Sequence, residues 1–153
     1  TSGSTGAPKL VRLPHANLTS NAESITDYLG IGRDERAITT LSFHYSYGMS
    51  VLHTHLLRGA ALVLTDKSVV HDDFWDAFSR HQATSLALVP FQLDLLETKG
   101  FEARRLPSLR TITQAGGKLA EPSIRRFAAW GVASGPAQPD PRRHSVLIEA
   151  CEG

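Results

Sequence analysis

Short apolar runs alternate with longer amphipathic ones along most of this chain, and that alternation restricts the fold more than any other feature. Leu10-Val11-Arg12-Leu13 reads as a short strand. After Pro14, Leu18, Ala22, Ile25 and Leu29 recur at helical spacing, and Gly30 stops that helix. Ala37 to Leu41 reads as a strand; Met49, Leu52, Leu56 and Leu57 mark a helix ended by Gly59. Ala60-Ala61-Leu62-Val63-Leu64 is a near-continuous apolar run, the pattern of a strand covered on both faces. Phe74, Ala77, Phe78 and His81 mark a third helix, with Asp72 and Asp73 placed to cap it. Ser85 to Val89 is another strand. Pro90 suits the first turn of the next helix, whose apolar face is Phe91, Leu93, Leu95 and Leu96. Leu109 to Thr113 is a strand, Gly116-Gly117 a turn, and Glu121 to Trp130 a helix. Strand then helix, five times over, predicts an α/β domain with a mostly parallel sheet and helices on both faces.

The bulk numbers narrow the function. The 153 residues carry 16 basic and 15 acidic side chains, a net charge of +1, which makes no electrostatic case for nucleic acid or an anionic membrane. No apolar run approaches the ~20 residues of a membrane span, and residues 1–20 lack the pattern of a signal peptide. Cys151 is the single cysteine, so no internal disulfide is possible. A cytoplasmic location is the default expectation.

The stretch "TSGSTGAPK", Thr1 to Lys9, holds two glycines, four hydroxyl side chains and a lysine. Gly3 and Gly6 let a ligand approach the main chain. Thr1, Ser2, Ser4 and Thr5 offer hydroxyl donors, and successive N–H groups in a tight turn make a nest for an anion. The plainer reading is a flexible Gly/Ser-rich segment, with Lys9 a solvated charge. It is neither a Walker loop nor a Gly-x-Ser-x-Gly elbow, because the spacings differ.

Taken with its neighbours, "TSGSTGAPK" closely resembles the phosphate-loop signature of the adenylate-forming family: acyl-CoA synthetases, luciferases and nonribosomal adenylation domains. Leu10 stands where that signature usually has Gly. "HANL" (15–18), "LSFHYSYGMSVLHTHLLRGAALVL" (41–64), "LVPFQLDLL" (88–96) and "LRTITQAGGKL" (109–119) are similar to later blocks of the same family, in the same order over residues 1–131. The resemblance implies part of the large N-terminal domain of such an enzyme. It implies ATP and a carboxylic acid as substrates. The carboxylate attacks the α-phosphorus, pyrophosphate leaves, and a thiol of coenzyme A or a carrier protein then takes the acyl group.

On that resemblance Ser2, Gly3, Ser4, Thr5 and Gly6, with Thr1, would hold the β- and γ-phosphates, and Lys9 would add catalytic charge. Gly116 and Gly117 would line the adenine and acyl sites through their backbone, with Ala115 beside them; the plainer reading is a helix-start turn. His44 and Tyr45 match the aromatic-rich loop at the acyl pocket, where His44 could equally be a packed or surface residue. The family's nonribosomal members usually carry an Asp near that loop to hold an amine. None occurs in Ser42 to Ser50, which favours a fatty or aryl acid. His53 and His55, two residues apart, point to different sides of a helix and read as structural; no metal site is expected in the chain.

The family's Tyr-Gly-x-Thr-Glu motif, whose Glu binds Mg2+, is absent, as are its ribose-binding Asp, hinge Arg and C-terminal catalytic Lys. Residues 132–153 diverge instead into a Pro-rich tail, expected to be poorly ordered or loosely docked. The expectation is therefore a partial adenylation domain over 1–131, inactive alone. A non-catalytic nucleotide- or acyl-binding module and a nonfunctional truncation product are the alternatives.

Overall fold

The computed structural model describes residues 12–101 and 105–130. Helix α1 (His15–Leu29) leads into strand β1 (Arg36–Ile38), then α2 (Ser46–Arg58), β2 (Ala61–Val63), α3 (Asp72–Arg80), β3 (Ser85–Leu88), α4 (Pro90–Thr98), β4 (Thr111–Gln114) and α5 (Glu121–Trp130). Gly30 and Gly59, both with φ +65°, end α1 and α2 where the apolar periodicity stops.

The strands form one parallel sheet in the order β2-β1-β3-β4. The chain leaves β1 through α2 to β2, then returns through α3 past β1 to β3. Crossovers between parallel strands are right-handed, so this reversal puts α2 on one face and α3 and α4 on the other. The α/β architecture with a parallel sheet agrees with the sequence expectation.

The two faces differ in side-chain size, and the register says how. One row runs Val63, Ile38, Leu86, Ile112 across the sheet. Ile38, Leu86 and Ile112, with Leu88, join Phe74, Trp75 and Phe78 of α3, Leu93 and Leu96 of α4 and Phe127 of α5 in the buried core. Trp75 meets Phe74 edge to face at 4.9 Å and donates its Nε1–H to the Val69 carbonyl at 2.8 Å. The neighbouring row reads Leu62, Ala37, Ser85, Thr111, and beyond it lie Ala87 and Thr113. From β1 to β4 that face carries small side chains only. It is roofed by α1 and α2.

Five details depart from the sequence reading. Five strands were expected, and the described residues form four. Of the expected strand Leu10–Leu13, Leu10 and Val11 lie outside the described residues, while Arg12 and Leu13 are exposed and in no strand. Among the described residues the run 60–64 forms the edge strand β2, and it is not buried on both faces: Ala61 is exposed and Leu62 and Val63 are half-buried. An apolar run records hydrophobicity, but the crossover order decides whether a strand is central. The N-cap of α3 is His71, and Asp72 and Asp73 occupy the first helical turn, where their charge favours the helix dipole without capping it. Phe91 lies outside the buried face of α4, at 69% exposure, while Leu93 and Leu96 fill it.

Candidate functional site

Small side chains on one sheet face leave a cavity of about 380 Å³ beneath α1 and α2. Ile25 and Leu29 of α1, Val51 and Thr54 of α2, and Ala37 and Ala87 of the sheet contribute to its mostly apolar wall. That volume suits a small organic ligand. Its position follows from topology. The chain departs from β1 toward one sheet edge and from β3 toward the other, so a crevice opens beyond the carboxyl ends of these strands. Ligands of open α/β sheets bind at such a switch point.

The mouth is built from three loops that hold one another. Gln92 Nε2 donates to the Thr40 carbonyl at 2.9 Å, and its Oε1 accepts from the Val89 N–H at 3.1 Å. The Thr40 hydroxyl donates to the Ala87 carbonyl. Ala115 N–H reaches the Leu88 carbonyl at 3.3 Å, and Gln114 Nε2 the Gly117 carbonyl at 2.7 Å. The loops after β1, β3 and β4 are thereby tied to one another. Gly48, in the first turn of α2, lets the helix approach the loop before it: a Cβ there would collide with the Ser42 carbonyl oxygen. Tyr47 Oη pairs with Thr113 Oγ1 at 2.7 Å, pinning the same turn to β4.

Tyr45, Ala115 and Gly116 meet at this mouth and form part of its wall. Gly116 has φ +87°, and a Cβ on it would stand 2.7 Å from Tyr45 Oη. The positive φ favours glycine there, and a Cβ would also push the Tyr45 ring tip aside. Gly117 sits against Pro90, 3.2 Å from where its Cβ would be. His44 is exposed, outside the cavity wall, with its N–H donating to Ser42 Oγ at 3.2 Å. Thr1, Ser2, Gly3, Ser4, Thr5, Gly6 and Lys9 lie outside the described residues, as do the expected boundary at 131/132 and the tail.

The cavity wall also holds residues to which the sequence assigns no site role, His55, Ser85 and Glu35. His55 is 4% exposed and forms part of the wall. Its Nδ1 lies 2.9 Å from the Val51 carbonyl, one helical turn back. A carbonyl only accepts, so Nδ1 carries the proton and Nε2 is left as an acceptor. Nε2 is buried without a partner, and so is the hydroxyl of Ser85. Burial pushes the His55 pKa down; the bond to Val51 and the charge of Glu35 oppose this without reversing it. Glu35, also in the wall, accepts from the Thr84 hydroxyl and pairs with Arg110 at 3.4 Å. Arg110 is held protonated chiefly by its hydrogen bond to Asp34 at 2.5 Å. His55 reads as structural from its spacing; its place in a cavity wall depends on small residues on three strands, β1, β3 and β4.

Among the described residues no group of three His, Cys, Asp or Glu is placed to hold a metal ion, and no helix is long and apolar enough to cross a membrane.

A model of the AMP-binding enzyme family matches residues 1–135, and the chain belongs to that family. Its relatives include both peptide synthetases and coenzyme A ligases. The chain is 34% identical over 137 residues to phenyloxazoline synthase MbtB of Mycobacterium sp. (strain MCS), covering 86% of this chain and 11% of that protein. It is 32% identical over 133 residues to indoleacetate–CoA ligase of Aromatoleum aromaticum (strain DSM 19018 / LMG 30748 / EbN1), covering 86% of this chain and 26% of the ligase. Among solved structures, o-succinylbenzoate CoA synthetase of Bacillus subtilis with its acyl-adenylate intermediate superposes with a TM-score of 0.75 at 29% identity, over 86% of this chain and 26% of that one. The same enzyme has been solved with ATP and magnesium ion. The chain therefore spans between about a tenth and a quarter of the length of these relatives.

Proposed function

We propose that this chain supplies the acid pocket and the phosphate loop of an ATP-dependent ligase that activates a carboxylic acid as its acyl-adenylate. The observation that carries this reading is the mostly apolar cavity opening at the switch point between β1 and β3, with Tyr45, Ala115 and Gly116 at its mouth. The organic part of the acid enters between α2 and the sheet. Its carboxylate stays at the mouth, where an oxygen forms a bond to the α-phosphorus of ATP as the bond to pyrophosphate breaks. A thiolate of coenzyme A or a carrier protein then takes the acyl group and releases AMP.

Ser2, Gly3, Ser4, Thr5 and Gly6, with Thr1, are proposed to donate to the leaving pyrophosphate, and Lys9 to balance its charge. Donors aimed at charge that develops in the transition state lower the barrier most. Magnesium, when bound, would neutralise phosphate charge; the described residues offer it no cluster of ligands. The chain's own role at the mouth is positional. The Gln92 bridge and the Tyr47–Thr113 pair hold the loops, so the acid meets a preformed wall.

The cavity's apolar wall, and the absence of Asp from Ser42 to Ser50, favour a fatty or aryl acid over an amino acid. Fatty-acid metabolism and a cytoplasmic setting are the corresponding proposals for its context. The test is titration of the chain with a non-hydrolysable acyl-sulfamoyl adenosine bearing an aryl acyl group. Saturable binding, weakened by Gly116→Val, is expected. Absence of binding to this probe and to ATP would sink the reading.

A further inference from the structure

The cavity changes its walls along its length. Under the two helices, three strands supply the floor: Ala37 of β1, Ser85 of β3 and Thr111 of β4 stand side by side in one row. Two residues nearer the mouth, the floor is the pair Ala87 and Thr113. Beyond that pair β1 and β3 add nothing to the wall. Only the end of β4, residues 114–116, and the start of α2, Tyr45 and Ser46, continue it. The cavity therefore has an outer part, between the end of β4 and the first turn of α2, and an inner part with a three-stranded floor.

Tyr47 and Thr113 meet where the two parts join. Both belong to the wall, Tyr47 on the roof and Thr113 on the floor, and their hydroxyls lie 2.7 Å apart. A hydrogen bond from roof to floor is a bar across the passage. Inward of it the roof continues along α2 from Tyr47 to His55, about 12 Å at the rise of an α-helix. Outward of it Ala115 still bonds the Leu88 carbonyl, so the chain from Thr113 to Ala115 is extended and covers about 7 Å. One bond between two neutral hydroxyls closes the neck, and such a bond opens at modest cost.

We infer that the Tyr47–Thr113 hydrogen bond is a length filter at the neck of the cavity. An acid whose organic part is shorter than about 7 Å lies in the outer part with the bond intact. A longer one reaches the inner part only by parting the two hydroxyls, and its binding is weakened by the free energy of that bond. The carboxylate at the mouth rests on the acid-activating reading; the filter rests on the cavity wall and the hydrogen bond alone. An extended alkyl chain advances about 1.2 Å per bond, a third of the span of an extended residue. Butanoate, about 4 Å long on that measure, stays outside the neck, and nonanoate, about 10 Å long, crosses it.

The experiment titrates the 153-residue chain with butanoate and nonanoate, and with butan-1-ol and nonan-1-ol as neutral counterparts, followed by nuclear magnetic resonance. Tyr47→Phe and Thr113→Val each remove one hydroxyl and keep the side-chain shape. Each should raise the affinity for the nine-carbon probe relative to the four-carbon probe about twofold to tenfold. The double variant should gain no more than either single one, because all three lack the same bond. Mere loosening of the first turn of α2 would move both chain lengths together and leave the ratio unchanged. The wild type gives a second readout that needs no variant to fold: the terminal methyl of nonan-1-ol should show nuclear Overhauser contacts to Val51 and Leu29, and that of butan-1-ol to Ala115. An unchanged ratio in both folded variants, additive gains in the double variant, butan-1-ol contacts to Leu29, or failure of either alcohol to bind would each overturn the inference. A length filter seen with the alcohols, with no binding of the acids, acyl-sulfamoyl adenosine or ATP, would sustain the neck and sink acid activation.

Discussion

Replacing Gly116 by Ala tests whether the mouth of the cavity depends on a backbone conformation or on bare space. Two costs can be separated. The first is conformational: Gly116 has φ +87°, and holding an L-residue in the left-handed region costs roughly 1–2 kcal/mol. The second is steric: the new Cβ would stand 2.7 Å from Tyr45 Oη. Tyr45 is 42% exposed, so its ring tip can swing aside, and this cost should be small in stability. It should be larger in binding, because the displaced ring enters the mouth. Gly116→Ala is therefore expected to lower unfolding free energy by about 1–2 kcal/mol, a factor of roughly 5–30 in the folded ratio. The assay is urea unfolding of wild type, Gly116→Ala, Tyr45→Phe and the double variant. The stability loss should persist in the Tyr45→Phe background, because removing the hydroxyl relieves only the contact. Full recovery in the double variant, or no loss in Gly116→Ala, would refute the backbone argument.

Three further outcomes are expected. Above its ordinary pKa of 6.5 His55 is neutral in both states; below it the unfolded chain takes up a proton that the buried ring resists. Stability should accordingly fall as pH drops from about 6.5 toward the lowered folded value, and urea midpoints at pH 7.5 and 5.5 should show a weaker fall in His55→Gln. Phe78→Ala should cost about 3–5 kcal/mol, because Phe78 is fully buried between α3 and the sheet, whereas Phe91→Ala should stay within about 0.5 kcal/mol; thermal unfolding of both variants would expose an inverted core assignment. The 153-residue chain, lacking a Tyr-Gly-x-Thr-Glu motif, should show no ATP–pyrophosphate exchange with fatty, aryl or amino acids, and robust exchange with any of them would mean the catalytic set had been misread.

Much of the fold was legible because helices and parallel crossovers leave local marks. The apolar spacing from Leu18 to Leu29, the stops at Gly30 and Gly59, and the Pro90 start all match observed helix bounds. The family was legible too, since blocks such as "TSGSTGAPK" and "LRTITQAGGKL" place particular small, hydroxyl and basic residues at set spacings and in a set order. Strand ends were less so. The expected strand 37–41 is observed as Arg36–Ile38, because Thr39 and Thr40 turn their hydroxyls to the carbonyls of Val63, Thr65 and Ala87 at the start of the loop.

By itself the sequence determined the alternation of helix and strand, the parallel sheet and the family, all of which depend on residues near one another in the chain. Only the tertiary structure decided that, among the described residues, 60–64 lies at a sheet edge, that Phe91 is exposed, and that His55 lines a cavity. Those outcomes depend on strand order. The sheet sets Ala37, Ser85 and Thr111 side by side, and the cavity exists because the residues that meet in that row are small. No local pattern records such a meeting, since each residue is ordinary in its own segment and acquires its role only from neighbours dozens of positions away.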